Sequence, residues 1–272
     1  MTRIYIAVAR IVRRLSRIGL YVTRVTSRKD LLSFLQTVRP VDTGWGLIRM
    51  GGNSDGGYLL PNDLVGIDAC FSPGVAGIAS FEESFAHRGV QCFLADYSIS
   101  ELPVQHKLFE FSKRNLGIYN DDSTMTLEQW VTTKAPQGEN LVLQMDIEGA
   151  EFGVLCDAPQ SVLERFRILV VEFHFLDGLL NWWGYQLVGL TFQKLLRSFE
   201  IVHIHPNNCS QLFESRGVSI PPVMEVTFHR KDRVLSRQRI ERFPHPLDCP
   251  NVKEEPEIVL PTCWYRSPED SD

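Results

Sequence analysis

One stretch restricts the fold of this chain more than any other: Leu141-Val142-Leu143-Gln144-Met145, followed by Asp146-Ile147-Glu148-Gly149-Ala150-Glu151. A largely apolar run of this length suits a strand buried on both faces of a parallel sheet. It ends on a carboxylate, Asp146, and two more acids follow. Gly149 relieves the backbone where the strand gives way to a helix predicted from Ala150 to Cys156. Glu151 then falls in the first helical turn, where the macrodipole favours negative charge. Open α/β sheets bind ligands just beyond the carboxyl ends of their strands. Asp146 is therefore a candidate for holding or orienting a ligand; the alternative is a solvated loop acid beside a helix-start acid.

The same theme recurs on both sides. Ala69-Cys70-Phe71 is strand-like and runs into Ser72-Pro73-Gly74-Val75-Ala76-Gly77, with helical spacing from Ala79 to Arg88. Gly74 and Gly77 allow backbone N–H groups to approach a ligand at a helix start. The turn is not G-x-G-x-x-G, which speaks against a nicotinamide oxidoreductase. Val90 to Ala95 is a second buried strand, and Asp96 at its end occupies the place where nucleotide-binding α/β folds put an acid for ribose hydroxyls. A surface turn acid is the alternative there. Leu108 to Ser112 reads as a third strand. Asp121-Asp122-Ser123 is a polar turn that borders the adenine pocket in this topology, which makes Asp121 or Asp122 a candidate adenine contact; an idle turn acid is the alternative for either. Thr126 and Gln129 form a capping box that opens a helix.

Further on, Ile168 to Val171 is a buried strand continuing into Glu172-Phe173-His174, with Glu172 and His174 on one face by the period of two. Tyr185 to Phe199 is predicted helical. Ile201 to Ile204 is a strand ending in His205-Pro206-Asn207-Asn208, and Val223 to Phe228 is the last strand. Asp146, His174 and His205 thus sit at three strand ends and are expected to converge on one crevice. His174 is the candidate general base, with His205 as its alternate. Asp146, Glu172 and Asn208 also offer hard oxygen ligands for a divalent metal, as a secondary possibility. His229 reads as superficial. Upstream, Gly46 to Met50 and Tyr58 to Leu60 flank the turn-rich loop Gly51 to Gly57.

A net charge of −5 gives no case for nucleic-acid binding. The six cysteines form no C-x-x-C pair, so neither a zinc site nor a disulfide framework is expected. No apolar run is long enough to span a bilayer. From Arg3 to Lys29 there are eight basic residues and no acid. Ile4, Val8, Ile11, Leu15, Ile18, Val22 and Val25 fall on one helical face, with Arg10, Arg13, Arg14, Arg17 and Arg24 opposite. Such a helix suits an anionic membrane surface through residues 3–28, or packing on the body with a solvated basic face. Arginines interrupt any secretory apolar core, so a cytoplasmic protein is expected, peripheral at a membrane if the first of these two roles holds. Asp30 is the predicted cap of a second helix from Leu31 to Val38. The division expected is a basic helical segment over 1–40, a catalytic domain over 41–242, and an irregular, acidic, partly disordered tail over 243–272.

The order of elements resembles the Rossmann-like seven-stranded α/β sheet of class I S-adenosylmethionine-dependent methyltransferases, mostly parallel with an antiparallel last strand. In detail the chain resembles the FkbM family. The residues carrying this are Arg49-Met50-Gly51 with Asp55-Gly56-Gly57-Tyr58, Gly74 to Glu82, Ala95-Asp96, Thr126 to Trp130, Met145 to Glu151, Val171 to His174 and His205 to Asn208. The likeness runs from about Trp45 to Arg230. It implies S-adenosylmethionine as cofactor, the glycine turn facing it, Asp96 on its ribose and Asp146 on its amino group or on the acceptor. It implies methyl transfer to an oxygen nucleophile on a sugar, glycan or other small molecule. The competing expectation is a catalytically idle domain that keeps the fold and recruits partners.

Overall fold

The computed structural model describes residues 10–20 and 22–266. Seven strands form the central sheet: β1 Ala69–Pro73, β2 Gln91–Ala95, β3 Phe109–Ser112, β4 Leu141–Met145, β5 Phe166–Phe173, β6 Phe199–Pro206 and β7 Met224–Arg230. Their spatial order is β3-β2-β1-β4-β5-β7-β6. β7 pairs antiparallel with both β5 and β6, while the pairs among β1 to β5 are parallel. This is the mostly parallel α/β sheet expected from the sequence, its last strand reversed.

The helices are α1 over residues 10–16, α2 Arg28–Thr37, α3 Ser80–Ala86, α4 Leu127–Lys134, α5 Glu151–Asp157, α6 Gln160–Leu163 and α7 Trp182–Leu195. Thr126 caps α4 by accepting the Gln129 N–H, as its sequence predicts. α2 differs: Ser27, not Asp30, is its N-cap, and the Asp30 carboxylate answers the Ser27 hydroxyl at 2.6 Å. The amphipathic helix expected up to Val25 also stops early. Leu20 N–H closes on the Leu15 carbonyl, and Gly19 takes φ +81°, a left-handed stop. Val22 and Val25 therefore lie on extended chain, while Ile4 and Val8 fall outside the described residues.

Period two divides each central strand between two cores. Leu141, Leu143, Met145, Leu169, Val171 and Phe173 face α2, α4, α5 and α7. Val142, Ile168 and Val170 face the other way, against α3 and the hairpin of Leu47–Met50 with Tyr58–Pro61. The positions that continue this second face toward the strand ends are polar: Ser72, Gln144 and Glu172, all buried. Along β7 and β6 the polar run extends through Glu225, Thr227, His229, His203 and His205. His229, read as superficial, is fully buried between Thr43 and Asp63. Its burial follows from its place on this inner face.

The expectation of a partly disordered tail is corrected over residues 244–266, which wrap back onto the body. Asp248 meets His203 and His205, Asn251 donates to Glu225 at 2.6 Å, and Trp264 is fully buried. The tail is irregular because polar side chains, rather than a ladder, hold it.

Candidate active site

The first part of the site is the turn after β1. Gly74 adopts φ +89°, and a Cβ there would run into the main-chain carbonyl of Asp146. Only glycine lets the ends of β1 and β4 approach this closely. Asp96, at the end of β2, pins the turn: one carboxylate oxygen accepts the Ala76 N–H at 2.9 Å, the other the Ser98 N–H and hydroxyl at 2.7 Å each. Burial pushes its carboxyl up, but these bonds outweigh it and the pKa lies below the usual value. Gly77 has no atom within 4 Å of its would-be Cβ, so the turn opens onto free space.

That space is a cavity of about 230 Å³, lined by the backbone of Gly74 to Ile78 and by Asp55, Tyr58, Phe81, Glu82, Gln144 and Asp146. Its floor is a buried polar chain. The Ser72 hydroxyl lies between Glu82 and Gln144, and the Gln144 amide donates to the Tyr58 hydroxyl at 3.2 Å. Burial raises the Glu82 carboxyl to about 7, although Ser72 opposes it. Asp122 is exposed on its turn and does not line this cavity, while Asp121 is spent on the Ser123 and Thr124 amides.

The second part is built on the acid-rich loop after β4. Glu148 holds φ +55° and Gly149 φ +105°. A left-handed glutamate costs about 1–3 kcal/mol. Glu151, fully buried at the start of α5, accepts from the Ile147 and Gly149 amides at 3.1 and 3.0 Å and contacts His174 Nδ1 at 3.2 Å. Burial would raise its pKa, yet the bonds from His174 and Gly149 hold it below the usual carboxylate range. His174 Nε2 is thereby turned toward Glu148 at 3.4 Å, Asp146 at 3.9 Å and Glu172 at 4.0 Å. Burial alone would lower the imidazole pKa; the Glu151 bond and the surrounding carboxylates raise it instead. Asp146 is pushed up to about 7 by burial, against the pull of His174. Its Oδ1 is buried without a hydrogen-bond partner among the described residues.

Asp146 and His174 thus come together as their strand-end positions predict, with Glu172 beside His174 on the face that the period of two gives it, and Asp146 joins the two parts. His205 does not join them. It is buried on β6 beside Asp248 at 3.7 Å and Glu257 at 3.5 Å, both from the C-terminal strap. Asn208 is likewise occupied, exchanging bonds with Val252 and Glu255, which removes it from the metal set read from the sequence. The oxygen and nitrogen atoms that do cluster, within 4.8 Å of one another, belong to Asp146, Glu148 and His174. The reading of the sequence gave no site role to Tyr58, Glu82 or Gln144, and left Glu148 and Glu151 as acids of the strand-end loop with no partner assigned. A polar Gln144 inside an apolar strand was the available signal.

Residues 77–200 match the family model described as the methyltransferase FkbM domain. No curated protein matches the chain. Among solved structures, precorrin-6y C5,15-methyltransferase from Geobacter metallireducens GS-15 is 9% identical, the likeness covering 77% of this chain and 93% of that one at a TM-score of 0.29.

Proposed function

We propose that the FkbM methyltransferase domain matched over residues 77–200 is the body of an enzyme that methylates a hydroxyl group on a sugar, glycan or other small metabolite. The family implies S-adenosylmethionine as donor, and the residues fit it. The cavity beside the Gly74 turn is lined by the carboxyls of Asp55, Glu82 and Asp146, which suit a ligand carrying a sulfonium, an ammonium and ribose hydroxyls. Asp146 Oδ1 is an unpartnered acceptor at its edge. When bound, S-adenosylmethionine would supply an electrophilic methyl group, the C–O bond to the acceptor forming as the C–S bond breaks and the thioether S-adenosylhomocysteine leaves.

The observation that carries the reading is the Glu151–His174 pair. Glu151 fixes Nδ1 as the donor nitrogen, which leaves Nε2 free to take a proton. Nε2 stands at the carboxyl edge of the sheet beside Asp146, which lines the cavity. The neighbouring carboxylates stabilise the imidazolium that proton removal creates, and Asp146 or Glu148 orients the hydroxyl. The test is transfer of labelled methyl from S-adenosylmethionine to a panel of hydroxylated acceptors, with the product analysed for an ether linkage. Methyl on nitrogen or carboxylate oxygen would refute O-methylation. Absence of calorimetric binding of S-adenosylmethionine would favour the idle, recruiting domain.

The Asp146, Glu148 and His174 cluster favours a second reading, in which a divalent cation lowers the pKa of the acceptor hydroxyl. Protein stripped with EDTA separates the two. Full turnover without metal supports His174 as base, and recovery only on adding Mg²⁺ or Mn²⁺ supports the cation.

A further inference from the structure

A second surface of the molecule has no part in the site and differs from it in charge. α1 and the turn after it contain no buried residue from Arg10 to Leu20; Ile18 is 72% exposed and Leu20 55%. Packing of this helix on the body, one of the two roles open to it from sequence, would bury these side chains. Arg10, Arg13, Arg14 and Arg17 are exposed alongside them. No acid occurs between Arg10 and Lys29, in a chain whose overall charge is −5.

The extended chain that follows is laced to the start of α7. Val25 bridges Asn181, the Trp182 N–H donates to the Arg24 carbonyl at 2.8 Å, and the Arg24 guanidinium lies over the Trp182 ring at 5.4 Å. α7 carries its own apolar stripe to solvent at helical spacing: Trp183, Leu187 and Leu190, with Trp183 65% exposed. The basic segment and this stripe therefore meet at the amino end of α7. The chain reaches that end from His174 through Phe175, itself 67% exposed, and the short turn Leu176–Leu180.

We propose that the surface formed by α1, the segment to Val25 and the exposed stripe of α7 docks on an anionic membrane. An acidic protein groove would match the arginines. The mixture of exposed Trp, Leu, Ile and Val with arginine is what the headgroup–acyl boundary accommodates, apolar side chains entering it and guanidinium groups meeting lipid phosphates. Among the described residues no helix is long and apolar enough to cross the bilayer, so the contact is peripheral. Docking through the amino end of α7 sets the Phe175 rim toward the lipid, which suits an acceptor hydroxyl presented on a lipid-anchored molecule. The docking itself does not depend on the methyl-transfer reading.

The test uses the full-length chain and sedimentation with vesicles of phosphatidylcholine, with and without phosphatidylserine. Binding to the anionic vesicles alone, weakened by salt, is expected. The variant Arg13→Glu, Arg14→Glu, Arg17→Glu should lose on the order of 100-fold or more in partitioning. Trp183→Ala should lose several-fold and, if folding is intact by circular dichroism, it isolates the α7 stripe. The proposal fails if the wild type ignores phosphatidylserine vesicles at low salt, or if the charge-reversed variant binds as well as wild type. Capture by immobilised polyglutamate without any vesicle binding would overturn it in favour of an acidic protein partner.

Discussion

His205 allows a sharp test of how the C-terminal strap is held. The imidazole is buried on β6, with Asp248 and Glu257 of the strap on either side and Glu225 opposite it on β7. Burial lowers its pKa, but the carboxylate of Asp248 beside it and the charges of Glu225 and Glu257 raise it from 6.5 to about 8. A basic group whose folded pKa is raised stabilises fully below its unfolded value and loses that contribution as pH rises through the folded one. The interval corresponds to about 2 kcal/mol at ~1.36 kcal/mol per pKa unit. The perturbation is His205→Asn, which removes the titrating group and keeps a polar side chain. The assay is urea unfolding of both proteins at pH 6 and pH 9, followed by the fluorescence of the tryptophans, of which Trp264 lies in the strap. Groups that titrate in both proteins and lie away from His205 cancel in the difference. The stability gap should narrow by about 2 kcal/mol at the higher pH. A gap that stays constant, or widens, would refute the assignment of the strap to a protonated His205.

Four further outcomes follow from the site. His174→Ala should lose roughly 10²–10⁴ in turnover while S-adenosylmethionine still binds by calorimetry. Because the His174 pKa is raised, wild-type turnover should climb with pH through and above neutrality, as the imidazole loses its proton, and a rate that falls over that range would argue against a neutral His174. Asp96→Ala frees the Ala76 amide and should weaken cofactor binding by about 1.5–3 kcal/mol, measured by calorimetry on protein of native circular dichroism. Gly74→Ala meets both a left-handed φ and the Asp146 carbonyl, so its unfolding free energy in urea should fall by more than the ~1–2 kcal/mol of the φ penalty alone.

The sheet was legible because apolar runs such as Leu141–Met145 and Ile168–Val171 have no other stable home than a strand covered on both faces. The meeting of Asp146 and His174 was legible because strand ends in one parallel sheet share an edge, and Glu172 follows His174 by the period of two; His205, expected with them, was not part of it. His205 lies on β6, separated from β5 by the reversed β7, and neither that spacing nor the strap is written in local pattern. The same strap occupies Asn208. Glu151 carries two signals at once, helix-start acid and imidazole clamp, and only the packing distinguishes them. The helix ending at Gly19 was overrun by a heptad-like apolar spacing that continues along chain which is in fact extended.

The two left-handed corners at Glu148 and Phe175 interlock: a methyl group on Gly149 would strike the Phe175 ring, and the Gly149 amide is bonded inward to Glu151. The loop bearing the acids and the corner bearing the imidazole are therefore packed against each other. In hydrogen-exchange terms, the Gly149 amide sits in a surface loop but should open only with the α5 and β5 unit, at the rate of the core.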